Sequence, residues 1–260
     1  MSVARAPRPR RSTPAVELAT RDGVGWVTLA RPETGNACDA ELLGALAAAC
    51  ETVGDDDGVR AVVLAARGAR FSVGLPRGHR WPDATWPDGA ATLGGLAKPV
   101  IAALHGEVRG WGLALALACD LRIASSAATL VVPALAPGAF PGGGVTQRLA
   151  RTVGVARALE LVLLGTPLAA AQAAEWGLVN AVVTPARLHA TVEALARRLA
   201  ARGPLALRLA KEAVVRALDL PLADGIRLEE DLYVLSQTTE DRREGVRAFL
   251  DKRPPRFTGR

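Results

Sequence analysis

"KPVIAALHGEVRGWGLALALACDLRIAS", residues 98–125, carries the reading on which the rest of the chain depends. Its opening, "KPVIAALHG", is a continuous apolar run of strand length, the pattern of a strand buried on both faces. A glycine turn follows, and "GWGLALALACD" (110–120) predicts a helix whose first turn offers only Trp, Gly, Leu and Ala side chains. Such a helix start still presents main-chain N–H groups and the positive end of its dipole to whatever lies in front of it. The stretch "FSVGL" (71–75) is a second glycine-containing turn. Two turns of this kind, one after a strand and one opening a helix, can aim two amides at one point and so build an oxyanion site without side chains. Taken singly, each is more often a structural turn.

Working outward, "GVGWVTLA" (23–30) is a short β-rich run, and "RPETGNACD" (31–39) is turn chemistry ending in a helix N-cap, Asp39, for "AELLGALAAACETV" (40–53). "VRAVVLAA" (59–66) is another strand of the doubly buried kind. Strands like these, separated by helical segments, require crossover connections and hence a mainly parallel sheet covered by helices, an α/β fold. From about Thr146 the pattern turns helical, through "TQRLARTVGVARALELVLLG" to "PLADGIRLEEDLYVLSQ", with only "LVNAVV" (178–183) reading as strand. No internal repeat is visible.

At 260 residues and 27.0 kDa, with half the residues apolar, the chain has ample material for one large α/β domain or two small ones. No apolar run approaches a membrane span, and "MSVARAPRPRRSTP" has no apolar centre for a signal peptide, so a soluble, cytoplasmic protein is expected; a mitochondrial presequence is the weaker alternative. The cysteines, Cys38, Cys50 and Cys119, are odd in number and show no C-x-x-C spacing, which favours buried thiols over disulfides or a metal site. The formal charge of +6 is terminal: Arg5, Arg8, Arg10 and Arg11 lie in the Pro-rich leader and Lys252, Arg253, Arg256 and Arg260 in the tail, leaving a slightly acidic body. With no recognition motif beside it, that charge argues for solvated tails rather than nucleic-acid binding.

Taken together and in this order, "RPETGNACD", "FSVGL", residues 98–125, "PGGGVTQRLARTVG" (141–154), "GTPLAAAQAAEWGLVNAVV" and "EDRREGVRAFLDKRPPRF" resemble the crotonase superfamily, the enoyl-CoA hydratase/isomerase group, from about Val16 to the C-terminus. The Pro and Arg content of residues 1–14 argues for a disordered basic leader, and the resemblance implies a crotonase spiral of ββα units over 15–200 and a C-terminal helical trimerisation region over 201–260. It implies a homotrimer or dimer of trimers. It implies a coenzyme A thioester as ligand, no tightly bound cofactor, and a thioester oxygen held by the main-chain N–H groups of Leu75 and Trp111. By the same resemblance, Ser72 and Leu75 lie near the adenosine and pantetheine portions, and Tyr233 and Lys252 of a neighbouring subunit contact the nucleotide.

The sequence departs from that family's hydratases at their chemistry. The two glutamates that position and activate water correspond to Ala114 and Ala134, and a methyl group neither takes nor gives a proton. Standard two-glutamate hydration is therefore not expected. What remains is an acyl-CoA carrier, or a reaction that leans on the oxyanion site, such as decarboxylation or thioester cleavage. His79, in "LPRGHRWPDATWPDG", and Glu107 are the candidate replacement acid/base groups, against plainer roles as a surface histidine and a strand-end carboxylate. Asp83 and Asp88 share the His79 loop, and His105 precedes Glu107. Trp111 stands where relatives have glycine, either crowding the pocket or turning away into a subunit contact. Trp81 and Trp86 can wall a small acyl group or pack on a neighbour.

Overall fold

The computed structural model describes residues 14–79, 85–133, 135 and 140–260. The basic leader, Trp81, Asp83 and Ala134 lie outside the described residues. The chain opens with an antiparallel pair, β1 (Val16–Arg21) and β2 (Val24–Leu29). Asp39 caps α1 (Ala40–Asp55), accepting from the Leu42 N–H as a short acidic side chain at this position does. Then come β3 (Ala61–Ala66), the short α2 (Gly89–Gly94), β4 (Val100–Leu104), β5 (Glu107–Arg109), α3 (Trp111–Ala118), β6 (Leu121–Ser125) and β7 (Thr129–Val131). The remainder is α4 (Val145–Val153), α5 (Val155–Leu164), β8 (Leu168–Ala169), α6 (Ala170–Glu175), β9 (Ala181–Val183), α7 (Leu188–Ala200), α8 (Pro204–Arg216), α9 (Leu222–Gln237) and α10 (Glu240–Leu250).

The main sheet runs β1-β2-β3-β4-β6-β9 and is parallel from β2 onward, as the apolar runs and intervening helices require. Its two faces explain why those runs do not alternate. Val62 and Leu64 join Leu42, Leu46 and Cys50 of α1 on one side, while Ala61 and Val63 join Val192 and Ala196 of α7 on the other. Each fully buried leucine or valine contributes about 1.5–3 kcal/mol.

Two sequence expectations need correction. The helical run from Thr146 is two helices, because Gly154 takes φ 82° and ψ 160° and breaks the ladder between α4 and α5. "LVNAVV" is not the last third's only strand, since Leu168–Ala169 pairs antiparallel with β7 in a small second sheet, β5-β7-β8. A two-residue strand carries no readable period. That small sheet matters for function, because β5 delivers the chain to the start of α3.

Candidate active site

Three short segments meet at the head of α3. Gly110 precedes the helix with φ 51° and ψ −114°, a conformation that suits glycine, and its N–H donates to Val131 O at 3.0 Å. Gly112 sits so tightly on Ser72 that an added Cβ would overlap that side chain. Gly74, at φ 83°, brings the "FSVGL" turn against the same place: a Cβ on it would lie 2.9 Å from Arg109 O and 3.3 Å from Trp111 N. The two glycine turns therefore touch backbone to backbone, which side chains at positions 74 and 112 would prevent.

Ser72 holds that arrangement. Its hydroxyl donates to Asn36 O at 2.7 Å and receives the Gly74 N–H at 3.1 Å, and the residue is wholly buried. Asn36 is pinned in turn, its amide donating to Arg67 O and Arg70 O. Ser72 thus shapes the turn, and its hydroxyl is engaged within the chain.

Beside this junction lies a cavity of about 230 Å³, lined mainly by Val73, Leu75, Trp111, Val132, Phe140 and Val145, with His79 and Arg109 as its titratable members. No carboxylate lines it among the described residues. Leu75 and Trp111 both border it, and neither main-chain N–H has a hydrogen-bond partner among the described residues. Trp111 is the first residue of α3, so its amide is one of the donors that a helix leaves unused. Two such amides can hold an oxygen carrying negative charge.

Trp111 is half-buried, with its indole against the glycine turn that opens α4: Cβ atoms on Gly142 and Gly143 would lie 2.8 Å and 3.3 Å from the ring. The ring shapes the cavity wall. Ala114, one turn on, is fully buried, does not line the cavity, and would lie 2.7 Å from a Cβ on Gly143.

The other candidates divide clearly. His79 is exposed at the cavity edge, its ring 5.7 Å from that of Trp86. Glu107 is not brought to the cavity; it pairs with Arg109 and, at 3.7 Å, with Arg70. His105 contacts Gly68 O, and Asp88 caps α2. Tyr233 on α9 and Lys252 beyond α10 are exposed and do not line the cavity of their own chain. Sequence reasoning passed over Arg109, although a cation between a short strand and a glycine turn, in "EVRGWG", was the available signal.

The family model described as enoyl-CoA hydratase/isomerase matches residues 19–260. The chain belongs to that family. It is 39% identical over 243 residues to the Bacillus subtilis protein YngF, named as an enoyl-CoA hydratase/isomerase, covering 90% of this chain and 94% of that protein. It is 36% identical over 253 residues to (E)-benzylidenesuccinyl-CoA hydratase of Thauera aromatica, covering 94% of this chain and 99% of that protein. The crystal structure of enoyl-CoA hydratase from Mycobacterium tuberculosis superposes with a TM-score of 0.89 at 31% identity, covering 95% of this chain and all of that one. The α/β architecture is thus the crotonase fold of these hydratases. Among the described residues, no helix is long and apolar enough to cross a membrane, and no group of three His, Cys, Asp or Glu side chains assembles as a metal site.

Proposed function

We propose that this member of the enoyl-CoA hydratase/isomerase family binds an acyl-CoA thioester with its acyl group in the cavity beside Trp111. The thioester oxygen accepts from the Leu75 and Trp111 amides. The observation that carries this reading is a pair of main-chain donors, without partners among the described residues, bordering one largely apolar cavity. The cavity's small volume and its Trp111 wall support a compact acyl group.

Two-glutamate hydration is not the chemistry of this site. By the resemblance Ala114 and Ala134 stand at the two glutamate positions, and no described carboxylate borders the cavity to replace them. Losing a positioned acid or base costs about 10²- to 10⁴-fold for each role. Crotonyl-CoA hydration assayed alongside calorimetric titration of the same ligand tests this: binding without turnover is expected, and turnover above roughly 1 s⁻¹ overturns it.

A second reading makes the protein an enzyme of another reaction, decarboxylation or thioester hydrolysis, in which the amide pair stabilises an enolate or tetrahedral oxyanion. The observation favouring it is His79 at the cavity edge, where an imidazole can transfer a proton at neutral pH. Turnover lost in His79→Ala with binding retained would separate this enzyme from a carrier.

The assembly we propose is a homotrimer or a dimer of trimers. Exposed Leu222, Tyr233 and Val234 on α9 and Phe249 and Leu250 at the end of α10 supply an apolar surface of the kind a second copy covers. In that assembly Tyr233 and Lys252 of a neighbouring copy reach the nucleotide, with Lys252 a point charge for phosphate.

A further inference from the structure

We infer that Arg109 recognises an anionic oxygen group on the bound thioester, and that this group is a carboxylate carried by the acyl chain. This rests on the cavity being the acyl-CoA site.

Strand alternation sets the side-chain directions here. In β5 the side chain of Val108 is fully buried, so Glu107 and Arg109 project to the opposite face. There Glu107 accepts from Arg109 Nε and also faces Arg70, so two guanidinium groups meet one carboxylate and positive charge remains. Arg109 borders the cavity and its side chain is 40% exposed. Its Nη1 and Nη2 groups have no partner among the described residues. A guanidinium held at Nε keeps its forked end oriented for a second, bidentate oxygen acceptor. Among the described residues the lining adds no negative charge to oppose such a guest, His79 being the other titratable member there.

Phosphate and carboxylate share this chemistry, and position chooses between them. Arg109 O and Trp111 N flank the same point beside Gly74, so the Arg109 main chain stands next to the amide pair and its guanidinium lies within one arginine side chain's length of it. The pantetheine arm that separates a thioester from its phosphates is much longer than an arginine side chain. A dicarboxylic-type acyl group brings its carboxylate within reach.

The test is calorimetric titration of wild type, Arg109→Ala and Arg109→Lys with succinyl-CoA, with butyryl-CoA as the uncharged analogue of similar size, and with the phosphate-free thioester succinyl-pantetheine. Wild type should prefer succinyl-CoA to butyryl-CoA. Arg109→Ala should erase that preference by roughly tenfold or more, the scale of a charge-assisted hydrogen bond. Arg109→Lys, which keeps the charge and loses the fork, should fall between. The loss should persist with succinyl-pantetheine. An equal loss for succinyl-CoA and butyryl-CoA that disappears without the phosphates would assign Arg109 to the nucleotide and overturn the carboxylate. No preference in wild type, or a preference unchanged in Arg109→Ala, also overturns it. Normal butyryl-CoA binding in that case would leave the acyl-CoA site intact, whereas no binding of either thioester would sink both readings.

Discussion

Trp111 sits at the first position of α3, where proline is tolerated because the amide it removes makes no helical bond. The preceding residue is Gly110, whose φ 51° and ψ −114° lie outside the α region that a following proline disfavours. Trp111→Pro therefore deletes one amide donor while leaving the helix in place. Trp111→Ala is its control, since it removes the same indole and keeps the N–H. The donor lost is one of two, and a net hydrogen bond contributes about 0.5–1.5 kcal/mol, or about 2- to 13-fold in affinity. The assay is competitive titration of an acyl-CoA thioester against the matching S-alkyl-CoA thioether, which lacks the carbonyl oxygen. Wild type and Trp111→Ala should prefer the thioester, and Trp111→Pro should lose that preference by the stated factor. If a catalysed reaction is identified, its kcat should fall about 10²- to 10³-fold in Trp111→Pro alone, because the oxyanion is more fully charged in the transition state. A folded Trp111→Pro protein with undiminished preference for the thioester would refute the amide pair as the oxygen's seat.

Three further outcomes follow from the packing. Ala114→Glu forces a longer side chain into a fully buried position against Gly143, at about 1–3 kcal/mol for overpacking and about 1–3 kcal/mol for an unpartnered polar group. A Tm loss of roughly 5–15 °C without gain of crotonyl-CoA hydration is expected, and a melt within 2 °C of wild type, read against the ~1 kcal/mol such a shift represents, would mean that room already exists there. Burial pushes the thiols of Cys38, Cys50 and Cys119 from 9.0 up to about 12. Their folded values exceed their unfolded ones, so the stability they contribute is complete below pH 9 and declines as pH rises toward 12, by up to ~1.4 kcal/mol per thiol per pH unit. Urea midpoints should drop between pH 8 and pH 10, and the drop should shrink in Cys38→Ala; an equal drop would remove that thiol as a cause. Lys211 of α8 bonds Asp120 Oδ2 at 2.7 Å and Lys98 O at 3.0 Å, tying the C-terminal helices to the start of β4. Lys211→Ala should cost about 1.5–3 kcal/mol in urea unfolding, and a loss under ~0.5 kcal/mol would make the pair equivalent to a surface contact.

The sequence by itself determined the α/β class, the family, the Asp39 cap and the absence of glutamate at positions 114 and 134. These are legible because they depend on residue identity and short-range order: continuous apolar runs mark strands buried on both faces, a short acid before an apolar helix marks its start, and a missing carboxylate is missing wherever the chain goes. Tertiary structure alone decided which polar groups are spent and which remain available. Ser72 and Glu107 read as ligand and acid/base candidates, yet the hydroxyl of one is engaged with Asn36 and Gly74 and the carboxylate of the other with arginines. Arg109 drew no notice in the sequence, yet β5 brings it to the cavity. Trp111 had two directions open to it, and the glycines at 142 and 143 provide the space in which its ring lies. The deciding contacts, Asn36 to Ser72, Arg70 to Glu107 and Gly142 and Gly143 to Trp111, join residues more than 30 positions apart, and local sequence pattern does not encode which distant segments meet.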